Sequence, residues 1–141
     1  MVYHGFMTTE AIRHSMQGNK SKDTKPELQV RAMLRKMGYP GYRLQWKKAS
    51  GRPDIAYPGR RIAIFINGCF WHRHDGCKYA STPGSNTDYW EAKFARNVER
   101  DMRTKETLEA EGWTVVVIWE CELKKDKVEQ TERYLYSVLS I

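Results

Sequence analysis

The sequence has little of what marks exported, membrane-spanning or disulfide-rich proteins. No run of apolar residues approaches the ~20 that cross a membrane, and the N-terminus has no apolar stretch of the signal-peptide kind. Only three cysteines are present, an odd number that does not suit a disulfide framework. We therefore expect a cytoplasmic protein with no membrane partner, whose reduced thiols are available for a metal ion.

What is present fits one compact domain. The chain has 141 residues, of which 40% are hydrophobic and 12% aromatic, enough apolar surface for a core and too much for a disordered chain. The first residues are polar and basic without a sustained period, apart from a possible short helix around 9–17. We expect a basic N-terminal arm over residues 1–23, followed by a single domain over 24–141.

The net charge of +7 is confined to the first third of the chain. Residues 1–50 contain ten Lys and Arg against three acids, whereas residues 51–141 contain fourteen of each. Such a segment suits contact with a polyanion, above all nucleic acid. Ordinary solubility explains a basic segment equally well, so charge alone does not decide between the two.

Apolar periodicity predicts three helices and four strands. Asp23 or Thr24 caps the first helix, Pro26 suits its first turn, and Gly38 ends it. Short apolar runs bounded by turn residues predict strands at 42–46, 55–57, 61–67 and 113–119. Later helices are expected from Thr87 toward Gly112 and over 129–139. The long one should bury a stripe made of Trp90, Phe94, Val98, Met102 and Leu108.

The order of these elements predicts the α/β class. A helix, three strands, a helix, a strand and a last helix fit a mixed sheet flanked by helices. The long helix would be a right-handed crossover between two parallel strands. Residues 68–86 have no period and form a long loop that something must order.

A cluster of cysteine and histidine in this loop predicts a metal site. Cys69, His74 and Cys77, with Cys121 far downstream after an apolar strand, would make a closed tetrahedral zinc site of the structural kind. Metal binding there would order the loop and pin it to the strand end. From spacing alone His72 could replace His74. The alternative is three free thiols and two surface histidines.

Two acids are candidates for a catalytic site. Asp54 stands at the start of a strand next to a turn, where a carboxylate can hold Mg²⁺. A Pro-Asp pair is more often a turn initiator. Glu27 lies in the first turn of the first helix, where the helix dipole alone favours an acid.

The long helix presents a polar ridge. Lys93, Asn97 and Asp101 recur at intervals of four, which a solvated face would also explain. The more specific reading is that Asp101 orients His72, because a general base works best when a carboxylate fixes its tautomer.

Several linked motifs together resemble the very short patch repair endonucleases, the Vsr family. The resemblance runs from about residue 12 to 139. Its motifs in this sequence are Gly51-Arg52-Pro53-Asp54, Phe65 to His72, Asn97 to Asp101, Gly112-Trp113 and Val117 to Cys121.

The resemblance implies a restriction-endonuclease-like core and a DNA nickase. Such an enzyme cuts 5′ of the thymine of a T:G mismatch in double-stranded DNA, using Mg²⁺, and contains a structural zinc. It acts in the bacterial cytoplasm, associated with the nucleoid, in the repair of deaminated 5-methylcytosine. Because a nick in an asymmetric target needs only one active site, we expect a monomer. Mismatch-repair proteins and a cytosine methyltransferase are the implied protein partners.

The resemblance also implies a role for each matched residue. Asp54 is the catalytic Mg²⁺ ligand, Glu27 its neighbouring acid, His72 the catalytic histidine and Asp101 the carboxylate beside it. His74, and not His72, joins the cysteines as the zinc ligand. The residues implied in DNA contact are Met16, Phe70, Trp71, Lys93 and Asn97.

Two positions depart from the family pattern. Ile66-Asn67 stands where the family usually has Thr-His, and the loop before Cys77 is longer by one residue in the Asp75-Gly76 stretch. If position 66 serves Mg²⁺ through its carbonyl, Ile66 is harmless. If it serves through a hydroxyl, the chain would be a silent DNA-binding module. A nuclease with another mismatch or sequence specificity, or one that cuts both strands, is the further alternative.

Overall fold

A computed structural model of the chain describes residues 23–81 and 83–140. The predicted arm, its short helix and Met16 lie outside these residues. The elements are α1 (Lys25–Lys36), β1 (Arg43–Leu44), β2 (Ile55–Tyr57), β3 (Ile62–Asn67), α2 (Thr87–Ala110), β4 (Thr114–Trp119), a 3₁₀ turn (Glu120–Leu123) and α3 (Val128–Leu139). This order confirms the predicted α/β class. None of the described helices is both long and apolar enough to cross a membrane.

The four strands form one mixed sheet in the order β1-β2-β3-β4. β2 pairs antiparallel with β1 and β3, whereas β3 and β4 run parallel from Ile62↔Thr114 to Asn67↔Trp119. The parallel pair joined through α2 confirms the predicted crossover connection. Because parallel strands end at the same edge of a sheet, the segments that follow Asn67 and Trp119 emerge side by side.

The first helix begins where the sequence predicts. Thr24 is its N-cap, and a capping box joins the Thr24 hydroxyl to the Glu27 N–H and the Glu27 side chain to the Thr24 N–H. Pro26 occupies the first turn, where its missing N–H costs nothing. Gly38, at φ +91, follows the C-cap residue Met37, as a left-handed stop requires.

The strand predicted at 42–46 is wrong in extent, because only Arg43 and Leu44 pair as a strand. Gln45 has the left-handed φ of +47, which no continuing strand accommodates. Its N–H still donates to the Asp54 carbonyl at 3.1 Å. The chain therefore stays against the start of β2 while it turns out of the sheet.

The core lies between the sheet and the helices. Its main cluster joins α1, the strands and α3 through residues such as Leu34, Ile64 and Leu135, all fully buried. On α2, Met102 was predicted to be buried but is 58% exposed. Residues four apart drift about 40° around a helix at each step. Met102, three such steps beyond Trp90, has therefore left the buried face.

Candidate active site and metal centre

Two carboxylates from distant parts of the chain meet at one end of the sheet. Asp54 immediately precedes β2, and Glu27 projects from the first turn of α1 with 3% of its surface exposed. The Gln45 side-chain amide lies between them, with Nε2 2.9 Å from Glu27 Oε1 and 3.4 Å from Asp54 Oδ1. The fold thus brings together the two acids that the sequence singled out, through a residue that it did not.

Asp54 is held by the end of the neighbouring strand. The β2–β3 ladder stops at the pair Ile55↔Ile64, so Ile66 on β3 lies beyond it. The Ile66 N–H instead donates to Asp54 Oδ2 at 2.8 Å. This contact places the main chain of Ile66 directly beside the carboxylate.

The surroundings of Asp54 disfavour its charge. Burial raises the pKa of Asp54 to about 6, the Ile66 N–H lowers it, and the nearby Glu27 raises it again. A cation beside this carboxylate would stabilise the charged form that burial penalises. The donor set, a carboxylate near a second carboxylate and the end of a strand, therefore fits a divalent cation that prefers oxygen ligands.

His72 and Asp101 form a second polar pair in the same groove. His72 follows β3 in the loop, Asp101 lies on α2, and His72 Nδ1 is 2.6 Å from Asp101 Oδ2. This contact occupies one ring nitrogen and leaves Nε2 as the other functional atom. The groove, of about 1440 Å³, is lined by both of these residues and by Asp54 and Glu27.

Basic side chains line the same groove. They come from α1, from the turn before Asp54 and from α2, and they are Lys25, Arg52, Lys93, Arg100 and Lys105. Acidic side chains line the groove as well, so it offers cations for the phosphates of a polyanion together with carboxylates for a metal-assisted reaction.

Four potential metal ligands converge where β3 and β4 end. Cys69, His74, Cys77 and Cys121 place one ligand atom each within 4.8 Å of all the others. His74 Nδ1 is 3.7 Å from Cys69 Sγ and 3.4 Å from Cys121 Sγ. A tetrahedral ion with bonds of about 2.0–2.3 Å needs ligand atoms about 3.3–3.8 Å apart, so this cluster can hold a metal.

Burial shapes the chemistry of this cluster. It raises the pKa of Cys69 to about 12 and also raises that of Cys121, while burial lowers the pKa of His74. A neutral imidazole and thiols that ionise only next to a cation suit a closed metal site. The structure places His74 in this cluster and His72 with Asp101, so the two histidines that spacing could not separate have different surroundings.

The residues implied in DNA contact have varied surroundings. Phe70 is only 3% exposed and packs with Trp90 and Phe94, whereas Trp71 is half-buried against this aromatic cluster. Asn97 donates from Nδ2 to the Trp71 carbonyl at 3.1 Å. Lys93 is half-buried at the groove wall. Asn97 therefore fixes the loop that carries the aromatic pair.

Sequence reasoning missed three residues that organise the site. Besides Gln45, Arg73 donates to the carbonyls of Phe70, Ala80 and Ser81 and stacks 4.2 Å from the Phe94 ring centroid. The Trp119 ring lies flat on His74 at 4.2 Å. No periodicity marks such contacts. Only the motif Cys-Phe-Trp-His-Arg-His gave a signal, by placing Arg73 inside the cluster.

Comparison with known proteins gives separate evidence on the family of this chain. The family model described as DNA mismatch endonuclease Vsr matches residues 6–78. A type II nicking enzyme, V.XorIIP of Xanthomonas oryzae pv. oryzae, is 46% identical over 83% of this chain and 85% of its own length. V.NmeAIP of Neisseria meningitidis, also a type II nicking enzyme, is 44% identical over 77% of this chain and 76% of its own.

The DNA mismatch endonuclease Vsr of Escherichia coli is 36% identical over 78% of this chain and 69% of its own length. Two of these relatives are thus named as type II nicking enzymes and one as a DNA mismatch endonuclease. Identity at this level over most of the chain, together with the acid pair, the histidine and the metal cluster in one structure, means that the protein is a DNA endonuclease and belongs to the Vsr family.

Proposed function

We propose that this endonuclease nicks one strand of duplex DNA on the 5′ side of the thymine in a T:G mismatch, and that Mg²⁺ is its catalytic cation. The observation that carries the proposal is the convergence of Asp54, Glu27 and the His72–Asp101 pair in one groove with basic walls. The names of the relatives support nicking in most cases and mismatch recognition in one.

Asp54 and the Ile66 carbonyl are the proposed ligands of Mg²⁺, with Glu27 nearby. When bound there, Mg²⁺ would neutralise charge on the scissile phosphate. Ile66 has no side-chain donor, so position 66 can serve only through its main chain, which the Asp54 contact already holds in place. On this proposal the change from Thr to Ile at position 66 leaves activity intact.

His72 is the proposed general base. With Nδ1 bound to Asp101, Nε2 is the nitrogen that takes a proton from the attacking water, and Asp101 stabilises the imidazolium that results. The basic side chains of the groove would hold the flanking phosphates. The chain's own residues thus supply base, orientation and phosphate binding.

Zinc is the proposed occupant of the Cys69, His74, Cys77 and Cys121 cluster, with a structural role. Trp71, Phe70 and Met16 are the proposed side chains that enter the stack beside the mismatch, and Lys93 and Asn97 the ones near the mismatched bases. A T:G wobble pair stacks less well than a matched pair and is easier to open, so its deformability is part of what is recognised.

The enzyme is further proposed to act as a monomer in the bacterial cytoplasm. A nick in an asymmetric target needs a single active site, for which one domain after a basic arm of residues 1–23 is sufficient. Mismatch-repair proteins and a cytosine methyltransferase are its proposed partners.

A second candidate is a nick directed to a different mismatch or sequence context. Type II nicking enzymes outnumber the mismatch endonuclease among the relatives, and this favours keeping the alternative.

Strand-resolved cleavage of labelled duplexes tests both candidates. Duplexes with one T:G pair in randomised flanks are compared with T:A controls, using the native chain and Asp54→Ala. A Mg²⁺-dependent nick in the T strand, lost in Asp54→Ala, is the expected result. A nick that ignores the mismatch favours the second candidate. Binding without cleavage by both proteins means a silent DNA-binding module.

A further inference from the structure

A continuous chain of hydrogen bonds joins the two carboxylates of the site to four structural elements. The Thr24 N–H and hydroxyl donate to Glu27 Oε2 at 2.9 and 2.8 Å, and the Ile66 N–H donates to Asp54 Oδ2 at 2.8 Å. The remaining oxygen of each carboxylate faces the same nitrogen, Gln45 Nε2. Gln45 is thus the centre of the chain of hydrogen bonds. The other oxygen of Glu27 is held by the start of its own helix, and the other oxygen of Asp54 is held by the neighbouring strand β3.

The chemistry of a primary amide suits this position. The nitrogen of Gln45 carries two hydrogens, so it can donate to both carboxylates at once. It also carries no charge. A lysine ammonium could make the same contacts, but it would repel a divalent cation and compete with it for both acids.

The backbone of Gln45 also contacts the segment that carries Asp54. Its left-handed φ of +47 is uncommon for a residue with a side chain and is retained where surrounding contacts require it. The Gln45 N–H donates to the Asp54 carbonyl at 3.1 Å, and the next residue, Trp46, donates to the Pro53 carbonyl at 3.1 Å. Main chain and side chain of Gln45 both point to the segment that carries Asp54.

We propose that Gln45 is a positioning residue for the divalent cation site: its amide holds the Glu27 and Asp54 carboxylates in a fixed arrangement before the cation binds. The inference rests on the proposed cation site at Asp54. Without the amide, two neighbouring anions would repel each other and turn apart. A cation would then have to reassemble the site and would bind more weakly.

The test is Mn²⁺ binding to the full chain, purified without chelator and followed by electron paramagnetic resonance. Gln45→Met keeps the length of the side chain and removes both donors. We expect its affinity for Mn²⁺ to fall about tenfold or more. The matched control is Gln29→Met on the same helix as Glu27, because the Gln29 amide donates to the Leu123 carbonyl and to neither acid. Its Mn²⁺ affinity should not change.

A second variant separates positioning from folding. Asn tolerates the left-handed region well, so Gln45→Asn should keep the fold and the melting temperature. Its amide is one methylene shorter and cannot reach both carboxylates. We expect weaker Mn²⁺ binding without loss of stability, and a nicking rate that recovers at high Mg²⁺ because only the metal affinity has changed.

The outcomes distinguish the two proposals. If the native chain binds Mn²⁺ and Asp54→Ala does not, the proposed cation site stands. Native affinity in Gln45→Met and Gln45→Asn would then overturn the role of Gln45 alone. If native binding of Mn²⁺ does not depend on Asp54, the cation site and the role of Gln45 both fail.

Discussion

The position of Asp54 in the fold opposes ionisation of its carboxyl group. Burial raises its pKa to about 6 in the metal-free protein, against 3.8 for an ordinary aspartate. Below about pH 4 the carboxyl group is protonated in the folded and the unfolded chain alike, so its ionisation does not lower the free energy of unfolding. Between about pH 4 and pH 6 the unfolded chain releases this proton while the folded chain keeps it, so the free energy of unfolding falls as the pH rises through this range and is constant above it.

We therefore expect Asp54→Asn to stabilise the protein at neutral pH when no divalent cation is added. The gain should be on the order of 1–2 kcal/mol at pH 7.5, since a shift of two pKa units sets an upper limit near 3. It should disappear by pH 4. Denaturant unfolding of both proteins across this range measures the difference. A gain that is constant with pH would mean that ionisation of Asp54 is not its cause.

The proposed role of Asp101 is to act through His72, which it contacts. Asp101→Asn keeps the shape of the side chain but removes the charge that stabilises the imidazolium and selects its tautomer. We expect the nicking rate at saturating Mg²⁺ and DNA to fall about 10²-fold or more, with DNA affinity little changed.

Glu99→Gln is the matched control for this change. Glu99 lies on the same helix and pairs with Arg103 at 2.8 Å, but both side chains are about 70% exposed. Such an exposed ion pair contributes little to the free energy of unfolding. Equal losses in the two variants would show that helix charge, and not the histidine contact, controls the rate.

At the scale of elements, the sequence predicts most of the fold and fails where local patterns end. Capping and apolar spacing place α1, α2 and α3 to within a residue or two, and the apolar runs place β2, β3 and β4. Propensity cannot foresee that Gln45 leaves β1 in a left-handed turn, because that conformation is stabilised by Asp54, nine residues later. The same holds for the site. The sequence predicted which acids, histidines and cysteines are candidate ligands, but it did not predict the Gln45 amide that joins the two acids.

The turn before Asp54 packs against α2 without space for a side chain. Gly51 has φ +75, and a Cβ there would overlap the methyl group of Thr104 on α2. The close approach fixes the turn that leads into Asp54 against α2, the helix that carries Asp101.

We expect Gly51→Ala to destabilise the protein by about 1–3 kcal/mol, through the clash and the strained φ together. Gly51→Ala combined with Thr104→Ala should regain the part due to the clash. Gly59→Ala is the control, because nothing lies within 4 Å of its added Cβ. Thermal unfolding of the four proteins measures this, and equal effects at Gly51 and Gly59 would contradict it.

At the scale of the whole molecule, both proposed metal sites adjoin the same strand. β3 holds Asp54 through Ile66 and leads directly into Cys69, while Cys121 follows the parallel strand β4. Between them the cluster closes the loop that carries His72. Zinc in this cluster would therefore connect the stability of the fold to the position of His72, the proposed general base.

Removal of zinc should lower both stability and activity. We expect the free energy of unfolding to fall by several kcal/mol on chelation, because metal binding is itself folding free energy. Nicking should fall with it, even in excess Mg²⁺, and both should return when zinc is restored. Cys77→Ser should reproduce the loss without chelator. Metal analysis with thermal unfolding checks this, and unchanged stability in a zinc-free chain would refute a structural role.

Phe70 begins in an environment similar to the one proposed for it in DNA. Its ring meets Phe94 and Trp71 edge to face at 5.2 and 4.9 Å, in a site almost closed to water. If the ring enters the base stack, it exchanges one set of aromatic neighbours for another, so the transfer of the ring itself gains little free energy. The equilibrium between the two positions then depends on the DNA. A base step that opens readily admits the ring, whereas a matched base step leaves it in the protein. A side chain with no strong preference for either place would make the enzyme sensitive to the stacking strength of the DNA. On matched DNA the Phe70 ring would stay in the protein.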